Sequence, residues 1–260
     1  MKQRNSIKKL DCRLSAAAEY ARPGAVFADI GTDHAYLPVS LCLSGTAPSG
    51  VASDLREGPC RRAAGNIEKA GLSDRISVVM TDGLDGIDRF SPDDIYILGM
   101  GGELIASIIG RSEYAKKSGV RLILQPMTHP ERLRAFLLGE GFDITDEKLV
   151  SDPPGGTAVG SRGGRGARSV IYQLIYARYT GERRILRDTP EEAAELLLGK
   201  INIEKGGVLL SRLARSYARS RAEEAAGLRS SECDRGAEAE RAALIAAKLN
   251  ETAEKCGKDG

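Results

Sequence analysis

The hydrophobic pattern of the first two thirds of the chain alternates short apolar runs with stretches of helical spacing. The apolar runs predict strands at residues 25–31, 50–54, 76–81, 94–100, 121–125, 143–150 and 170–179. Helical periodicity between the first six runs predicts helices that include residues 36–43, 58–70, 103–109 and 130–139. This alternation is typical of a parallel sheet with helices on both faces. The last two strands leave no room for a helix between them and predict an antiparallel hairpin at one edge.

The pattern changes near residue 190, where helical spacing continues to the end of the chain. Thr189 followed by Pro190 predicts a helix start, with Thr189 as the N-cap. Two apolar stripes follow, separated by a turn at residues 230–236; they consist of Leu210, Leu213, Tyr217, Ala225 and Leu228, and of Ala242, Ile245, Leu249 and Ala253. They predict two antiparallel, coiled-coil-like helices. We therefore expect an α/β domain over residues 1–180 and a helical domain over residues 181–260.

Length, charge and cysteine content restrict the class of protein. At 260 residues with a net charge of +2, the chain can hold one α/β domain with an appendage, and its total charge does not by itself indicate a nucleic-acid partner. Its five cysteines are scattered, without metal-ligand spacing or a disulfide framework. No apolar run is long enough to span a bilayer. We expect a cytoplasmic monomer without a bound metal or a membrane segment.

The end of the first predicted strand carries the first candidate site. Gly31 at the strand-to-helix turn lets the backbone approach a ligand, but the second and third glycine positions of a dinucleotide-binding motif are Asp33 and Ala35 here. A carboxylate disfavours a phosphate and favours the cationic amino group or sulfonium of S-adenosylmethionine (SAM). Asp29, Gly31 and Asp33 are therefore candidate SAM-binding residues. The alternative interpretation is a plain turn with an aspartate cap.

Acidic residues also end the next two predicted strands. Asp54 lies 23 positions after Gly31 and is placed to accept hydrogen bonds from ribose hydroxyls, unless it caps the following helix. Asp82, Gly83 and Leu84 follow the third strand and are expected to face the adenine, with a carboxylate for the amine and an apolar side chain for the ring. Three acidic strand ends together are much less expected by chance than one, so they favour a site for an adenosyl cofactor.

Glycines gather at the end of the fourth predicted strand, at positions 99, 101 and 102. A turn at positive φ explains one glycine but not three, so a flat group is expected to lie against this backbone. Gly99, Met100 and Gly101 are therefore included in the predicted cofactor site. His129, at the end of the fifth strand, is given no catalytic role, because it can simply begin the next helix.

Three motifs together resemble one enzyme family. The runs DIGTDHAYLP at residues 29–38, GMGG at 99–102 and LQP at 124–126 are similar to the bacterial tRNA (adenine(22)-N1)-methyltransferase family, TrmK. The similarity covers about residues 8–180 and extends to the helical tail. It implies a Rossmann-like class I SAM-dependent methyltransferase fold with a C-terminal coiled-coil domain, and N1-methylation of an adenine in the tRNA D-arm. The chain departs from the family at residues 152–169, a long Gly/Arg-rich segment.

The reaction that the resemblance implies needs little acid–base chemistry. N1 of adenine has a free lone pair at neutral pH, so alignment with the activated methyl group supplies much of the catalysis. Methylation leaves a cationic base, which a nearby carboxylate or carbonyl would stabilise. Asp29, Asp33 and His34 are the side chains of the first strand end that can act there, and they are the predicted catalytic residues.

Basic residues support a tRNA partner. Residues 200–229 hold seven Lys/Arg against three Asp/Glu. Other cations lie near the N terminus and in the Gly/Arg-rich segment: Lys2, Arg4, Lys8, Lys9, Arg13, Arg162, Arg165 and Arg168. Each group can equally be a solvated charged face. Two other functions stay open: a SAM-dependent methyltransferase of a small molecule or protein, and a non-catalytic RNA-binding protein with a degenerate site.

Overall fold

A computed structural model describes residues 10–152, 170–230 and 235–256 of the chain. Seven strands within these ranges form one sheet: β1 Phe27–Ile30, β2 Gly50–Asp54, β3 Ile76–Met80, β4 Asp94–Gly101, β5 Arg121–Thr128, β6 Phe142–Ser151 and β7 Ile171–Tyr179. Their order across the sheet is β3-β2-β1-β4-β5-β7-β6. β7 is antiparallel to both of its neighbours, and the other pairs are parallel. The predicted parallel sheet with an antiparallel hairpin at its edge is confirmed.

Helices fill the connections and form the tail. They are α1 Cys12–Ala18, α2 Tyr36–Leu43, α3 Glu57–Lys69, α4 Gly102–Gly110, α5 Pro130–Gly139, α6 Pro190–Leu198, α7 Lys200–Lys205, α8 Val208–Arg229 and α9 Gly236–Cys256. The bounds of α2 and α5 are the predicted ones. The sequence did not predict α1 and α7, which are only 7 and 6 residues long and too short for a clear period. In the described ranges, no helix combines the length and apolarity that a bilayer span needs.

The strands place alternate side chains on opposite faces of the sheet, and each face has its own core. On β1, Ala28 and Ile30 belong to the core under α4 and α5. Phe27, one position earlier, belongs to the core that includes residues of α1, α2 and α3. All four residues of β1 are buried. A strand covered on both faces explains why the first apolar run shows no alternation in the sequence.

The tail packs as the apolar stripes predicted. Thr189 caps α6, because its side chain accepts a hydrogen bond from the Glu192 N–H. α8 and α9 lie side by side, and Ser211 near the start of α8 bonds the carbonyl of Ala253 near the end of α9 at 2.8 Å, so the two helices are antiparallel. Leu213 and Leu249 are among the buried residues of their shared core. The domain boundary at residue 180 stays a prediction.

A buried polar network fastens the tail to the sheet. Arg134 of α5 is 2% exposed and donates to Glu147 of β6 at 2.7 Å, to Gln173 of β7 at 2.8 Å and to two carbonyls at the end of α6. The second oxygen of Glu147 accepts from the backbone N–H of Ile201 in α7 at 3.0 Å, and Gln173 donates to Tyr217 of α8 at 2.9 Å. One ion pair therefore connects α5, the hairpin and three tail helices. We call this network the tail junction.

Candidate active site

The carboxyl ends of β1 and β4 frame the candidate site. β1 lies between β2 and β4, so the connections that follow β1 and β4 leave in opposite directions and a crevice opens between them. A cavity of about 560 Å³ lies in this crevice. Five predicted site residues line it: Asp29, Gly31, Asp33, His34 and Gly99. The remaining predicted residues stand along the same edge of the sheet, outside this cavity.

The loop after β1 has a backbone that only small residues allow. Gly31 has φ +76°, and a Cβ at this position would collide with the terminal methyl of Met100. The N–H groups of Gly31 and Thr32 both donate to the carbonyl of Ser53 at the end of β2. Thr32 in turn accepts from the N–H of Ala35, which has φ +54°. These bonds fix the loop before any ligand arrives.

Asp29 is the acidic group deepest in the crevice. It is 8% exposed. Burial raises the pKa of Asp29 to about 6, against the opposing effects of a hydrogen bond from Thr32 and of the positive charge on Arg13. The carboxylate thus lacks the close cation that would compensate its desolvation. A cationic ligand group placed beside Asp29 would supply that compensation.

Asp33 and His34 lie at the mouth of the cavity. Asp33 forms an ion pair with Arg62 of α3, and His34 Nε2 lies 3.3 Å from its other oxygen. The hydrogen bond from Arg62 lowers the pKa of Asp33, so this carboxyl stays ionised. The His34 ring stacks on Tyr36, with ring centroids 5.0 Å apart. Asp33 is thus an exposed anion held in a fixed position.

The end of β2 places Asp54 at the same edge. Its side chain accepts a hydrogen bond from the N–H of Arg56 at 2.9 Å, and the residue is 8% exposed. The N-cap of α3 is Arg56 itself, so the alternative in which Asp54 caps that helix is wrong. The next residue, Leu55, is 64% exposed, and Met80 at the end of the neighbouring β3 is 62% exposed. The exposure of these two apolar side chains at this edge was not predicted from the sequence.

The turn after β3 contains three predicted adenine-site residues, and one of them, Leu84, is largely buried. Asp82 is exposed and both of its oxygens accept from Arg111 at the end of α4, at 3.0 and 3.2 Å. Gly83 has φ +57°, and a Cβ there would come within 2.9 Å of Ile108. Leu84 is 6% exposed and packs in the core beside Ile108. Little of Leu84 can reach a ligand, so its predicted contact with the adenine ring stays a prediction for that small exposed part.

The glycines at the end of β4 make room mainly for protein groups. A Cβ at Gly99, which has φ +80°, would lie 2.6 Å from Arg13 Nη1. At Gly101 a Cβ would lie 3.2 Å from the hydroxyl of Thr128, and at Gly102 it would collide with the carbonyl of His129. The guanidinium of Arg13 is therefore one flat group that lies against Gly99, and a cofactor contact at this glycine stays a prediction. Met100, between these glycines, packs partly buried against the core.

Arg13 is a site residue that sequence analysis counted only as a possible phosphate contact. It lies in α1, before the first strand, and lines the cavity together with Asp29 and Gly99. Its position follows from Asp11, which caps α1 by accepting from the N–H of Leu14 at 2.7 Å. No pattern in the sequence showed that this short helix begins at the crevice. Among the described residues, no group of His, Cys, Asp or Glu could hold a metal ion.

Comparisons with known proteins give a consistent result. A methyltransferase domain family matches residues 10–154. The tRNA (adenine(22)-N(1))-methyltransferase of Bacillus subtilis is 42% identical over 144 residues, which is 55% of this chain and 60% of that protein, so the match spans less than two thirds of its length. The crystal structure of the B. subtilis M1A22 tRNA methyltransferase TrmK has a TM-score of 0.70 and 30% identity, and the alignment covers 95% of this chain and 98% of that one. Streptococcus pneumoniae Sp1610 in complex with S-adenosyl-L-methionine has a TM-score of 0.67 and 26% identity, over 92% and 98% of the two chains.

Proposed function

The chain belongs to the methyltransferase domain family and, within it, to the TrmK family, and from that premise we propose that it methylates N1 of an adenine in the tRNA D-arm, adenine 22, with SAM as methyl donor. The observation that carries this proposal is the 560 Å³ cavity at the β1–β4 switch point, which contains the buried carboxyl of Asp29 beside the glycine turn at Gly31. We propose that it acts on tRNA in the cytoplasm, as a monomer.

The residues present fit SAM. The under-compensated carboxyl of Asp29 suits the ammonium of the methionine moiety, and the positive φ of Gly31 lets the backbone come close to it. Asp54 would accept from the ribose hydroxyls, and Asp82 with Gly83 would face the adenine. Gly99, Met100 and Gly101 complete the edge, with Gly99 on the cavity wall. When bound, SAM supplies a methyl group that its sulfonium has already activated.

The chain's own task is then to hold the target base in line and to stabilise its new charge. Orientation of this kind can lower a barrier by about 7–11 kcal/mol. Asp33 is anionic and exposed at the cavity mouth, so it can lie near the exocyclic amine as the base becomes cationic. His34, whose Nε2 lies 3.3 Å from an Asp33 oxygen and whose ring stacks on Tyr36, would hold that carboxylate in place. Asp29 would act indirectly, by binding the positively charged ammonium group of the cofactor.

The activity is tested by mass mapping of tRNA after incubation with SAM. We expect the wild-type protein to add one methyl group, at N1 of adenine 22, and Asp54→Ala to lose SAM affinity in calorimetry while keeping its circular dichroism spectrum. SAM binding with methylation of a different molecule would favour the small-molecule or protein substrate. Binding of tRNA with no detectable SAM binding would favour the non-catalytic alternative and overturn the proposal.

The outward face of α8 supports a tRNA partner. Arg212, Arg215 and Arg219 are exposed at helical spacing and form no ion pair with the described residues. By contrast, Arg221 pairs with Glu224 on the same helix. Unpaired arginines on one face suit a run of phosphates, which gives affinity rather than sequence readout. The cations predicted at residues 2, 4, 8 and 9, and at 162, 165 and 168, lie outside the described residues.

Replacing these three arginines with serine is expected to weaken tRNA binding and to reduce the slope of log affinity against log salt by about 3. SAM affinity should not change, because α8 does not line the crevice. Filter binding across a salt series measures the slope. The matched control removes three cations that are ion-paired on α9, Arg241, Lys248 and Lys255. Equal slopes for the two triple variants would mean that the α8 face does not contact phosphates.

A further inference from the structure

Arg13 lies in the crevice with most of its hydrogen-bonding capacity unused. Its side chain is 17% exposed. Nη1 donates to Gln125 Oε1 at 3.2 Å, and Nη2 donates to Asp11 at 3.4 Å, which is beyond the usual range for such a bond. A guanidinium has five N–H donors. The other donors of Arg13 have no partner among the described residues, and none of them is among the buried polar atoms that lack a partner, so they are accessible from the cavity or from solvent.

Arg13 is also the only Lys or Arg among the described residues that line the cavity. The carboxyl of Asp29 lines the same cavity, and the two are close enough for Arg13 to act on the pKa of Asp29. No direct bond between them is formed. A cation and an anion, held apart across one cavity, match the two charges of an amino-acid zwitterion.

We propose that Arg13 binds the carboxylate of the methionine moiety of SAM, while Asp29 accepts its ammonium group. This inference rests on the proposed function, because it assigns one end of the same cofactor. A planar guanidinium suits a carboxylate because two parallel N–H groups can bond its two oxygens. Gln125 and Gly99 prepare the residue for this role: Gln125 orients one edge of the guanidinium, and the absence of a side chain at Gly99 leaves room for it.

The test compares two ligands that differ only in this carboxylate, SAM and decarboxylated SAM, with calorimetry as the readout. We expect Arg13→Gln to weaken SAM binding about 10- to 100-fold, the usual effect of losing a hydrogen bond to a charged group. Its affinity for decarboxylated SAM should stay within about twofold of wild type. Arg13→Lys should recover part of the SAM affinity. Arg22→Gln, which removes an arginine bonded to Asp94 outside the cavity, is the matched control and should not discriminate between the ligands.

Three results would overturn the inference. An equal loss for both ligands would mean that Arg13 only holds the crevice together. No loss for either ligand would mean that it does not touch the cofactor. A loss confined to tRNA binding would assign Arg13 to a phosphate. Failure of the wild-type protein to bind either ligand would instead count against the proposed function, so the two failures are distinguishable.

Discussion

Arg134 at the tail junction and Arg13 in the crevice are each bonded to a glutamine of the sheet, yet their surroundings differ. Arg134 is 2% exposed and donates four hydrogen bonds to the protein. Arg13 donates two, one of them long. The hydrogen-bonding groups of Arg134 are therefore partnered within the chain, whereas part of the Arg13 guanidinium has no partner among the described residues.

Two buried acids, Glu147 at the junction and Asp29 in the crevice, also differ in how far protein groups compensate their charge. Glu147 at the junction is 1% exposed, but it accepts from Arg134 at 2.7 Å and from the N–H of Ile201 at 3.0 Å. Asp29 in the crevice is 8% exposed, and burial raises its pKa to about 6. A carboxyl held in this way lowers the stability of the native state at neutral pH. Such a cost is typical of a functional site rather than of a structural one.

The largest expected effect is that of Arg134→Met. This change leaves Glu147 buried without its cation and should lower the free energy of unfolding by about 3–5 kcal/mol. The counterpart in the crevice, Arg13→Met, should cost only about 1 kcal/mol, because it removes two weak hydrogen bonds. Urea denaturation measures both. Equal losses in the free energy of unfolding would show that Arg13 contributes as much to stability as Arg134, which contradicts the difference described above.

A double variant, Arg134→Met with Glu147→Met, separates charge burial from packing. Replacing a buried ion pair by apolar side chains of similar volume is often close to neutral. We expect the double variant to recover part of the stability that Arg134→Met alone loses. If it is as unstable as the sum of the two single variants, the network acts through packing and hydrogen bonds rather than through an unpaired charge.

The second expected effect concerns Gly199, between α6 and α7. It has φ +89°, and a Cβ there would collide with the carboxylate of Glu147. Gly206 also has positive φ, but apart from its two chain neighbours no atom of the described residues lies within 4 Å of where its Cβ would be. Gly206→Ala should therefore cost only the backbone strain, about 1–3 kcal/mol, and Gly199→Ala should cost distinctly more. Thermal unfolding of the two variants measures the difference, and equal midpoints would show that the Glu147 carboxylate can move aside.

The crevice could be predicted from the sequence much better than the junction. Asp29, Gly31 and Gly99 were found because strand ends meet at one edge of a parallel sheet, so their neighbourhood follows from the strand pattern alone. Arg134 lies in an amphipathic helix, where a charged residue usually indicates a solvated face, and nothing local indicates Glu147 as its partner. Such a pair depends on how the helices pack, which periodicity does not encode.

Two predictions at the same edge of the sheet show this limit at a finer scale. Leu84 was predicted to contact the adenine ring, but it packs in the core with only 6% of its surface exposed, so that contact stays a prediction for its small exposed part. The three-glycine run was expected to face a flat ligand, yet much of its space is taken by Arg13 and by the carbonyl of His129. The sequence indicates that a group comes close, whereas the identity of that group depends on tertiary contacts.

The third expected effect is a pH dependence that belongs to the crevice. The native carboxyl of Asp29 keeps its proton up to about pH 6, against the ordinary pKa of 3.8 in the unfolded chain. The native state therefore binds more protons in this window, and the free energy of unfolding should fall as pH rises through it, by about 3 kcal/mol in total. Asp29→Asn should remove this fall. Denaturation at pH 4 and at pH 7 measures this fall, as the difference in free energy of unfolding between the wild type and the variant at each pH.

SAM binding should show the opposite trend at the same residue. The ammonium of the methionine moiety prefers the ionised carboxyl, so the affinity for SAM should rise as pH rises from 5 to 7. With Asp29→Asn this rise should be absent. An affinity that rises equally in the wild type and in the variant would assign the titrating group elsewhere and would remove Asp29 from the ammonium contact.

The smallest expected effect concerns Asp82 and Arg111, the exposed ion pair at the edge where we propose that the adenine binds. Exposed pairs contribute little to stability, so Arg111→Gln should leave the denaturation midpoint unchanged. It should raise SAM affinity by no more than about threefold, because both oxygens of Asp82 become available to the adenine amine. The matched control is Arg132→Gln, which opens the exposed pair with Glu103. A fall in SAM affinity with Arg111→Gln, but not with the control, would mean that Arg111 holds Asp82 in position. This end of the crevice would then depend on a preformed ion pair, as the tail junction depends on the pair of Arg134 and Glu147.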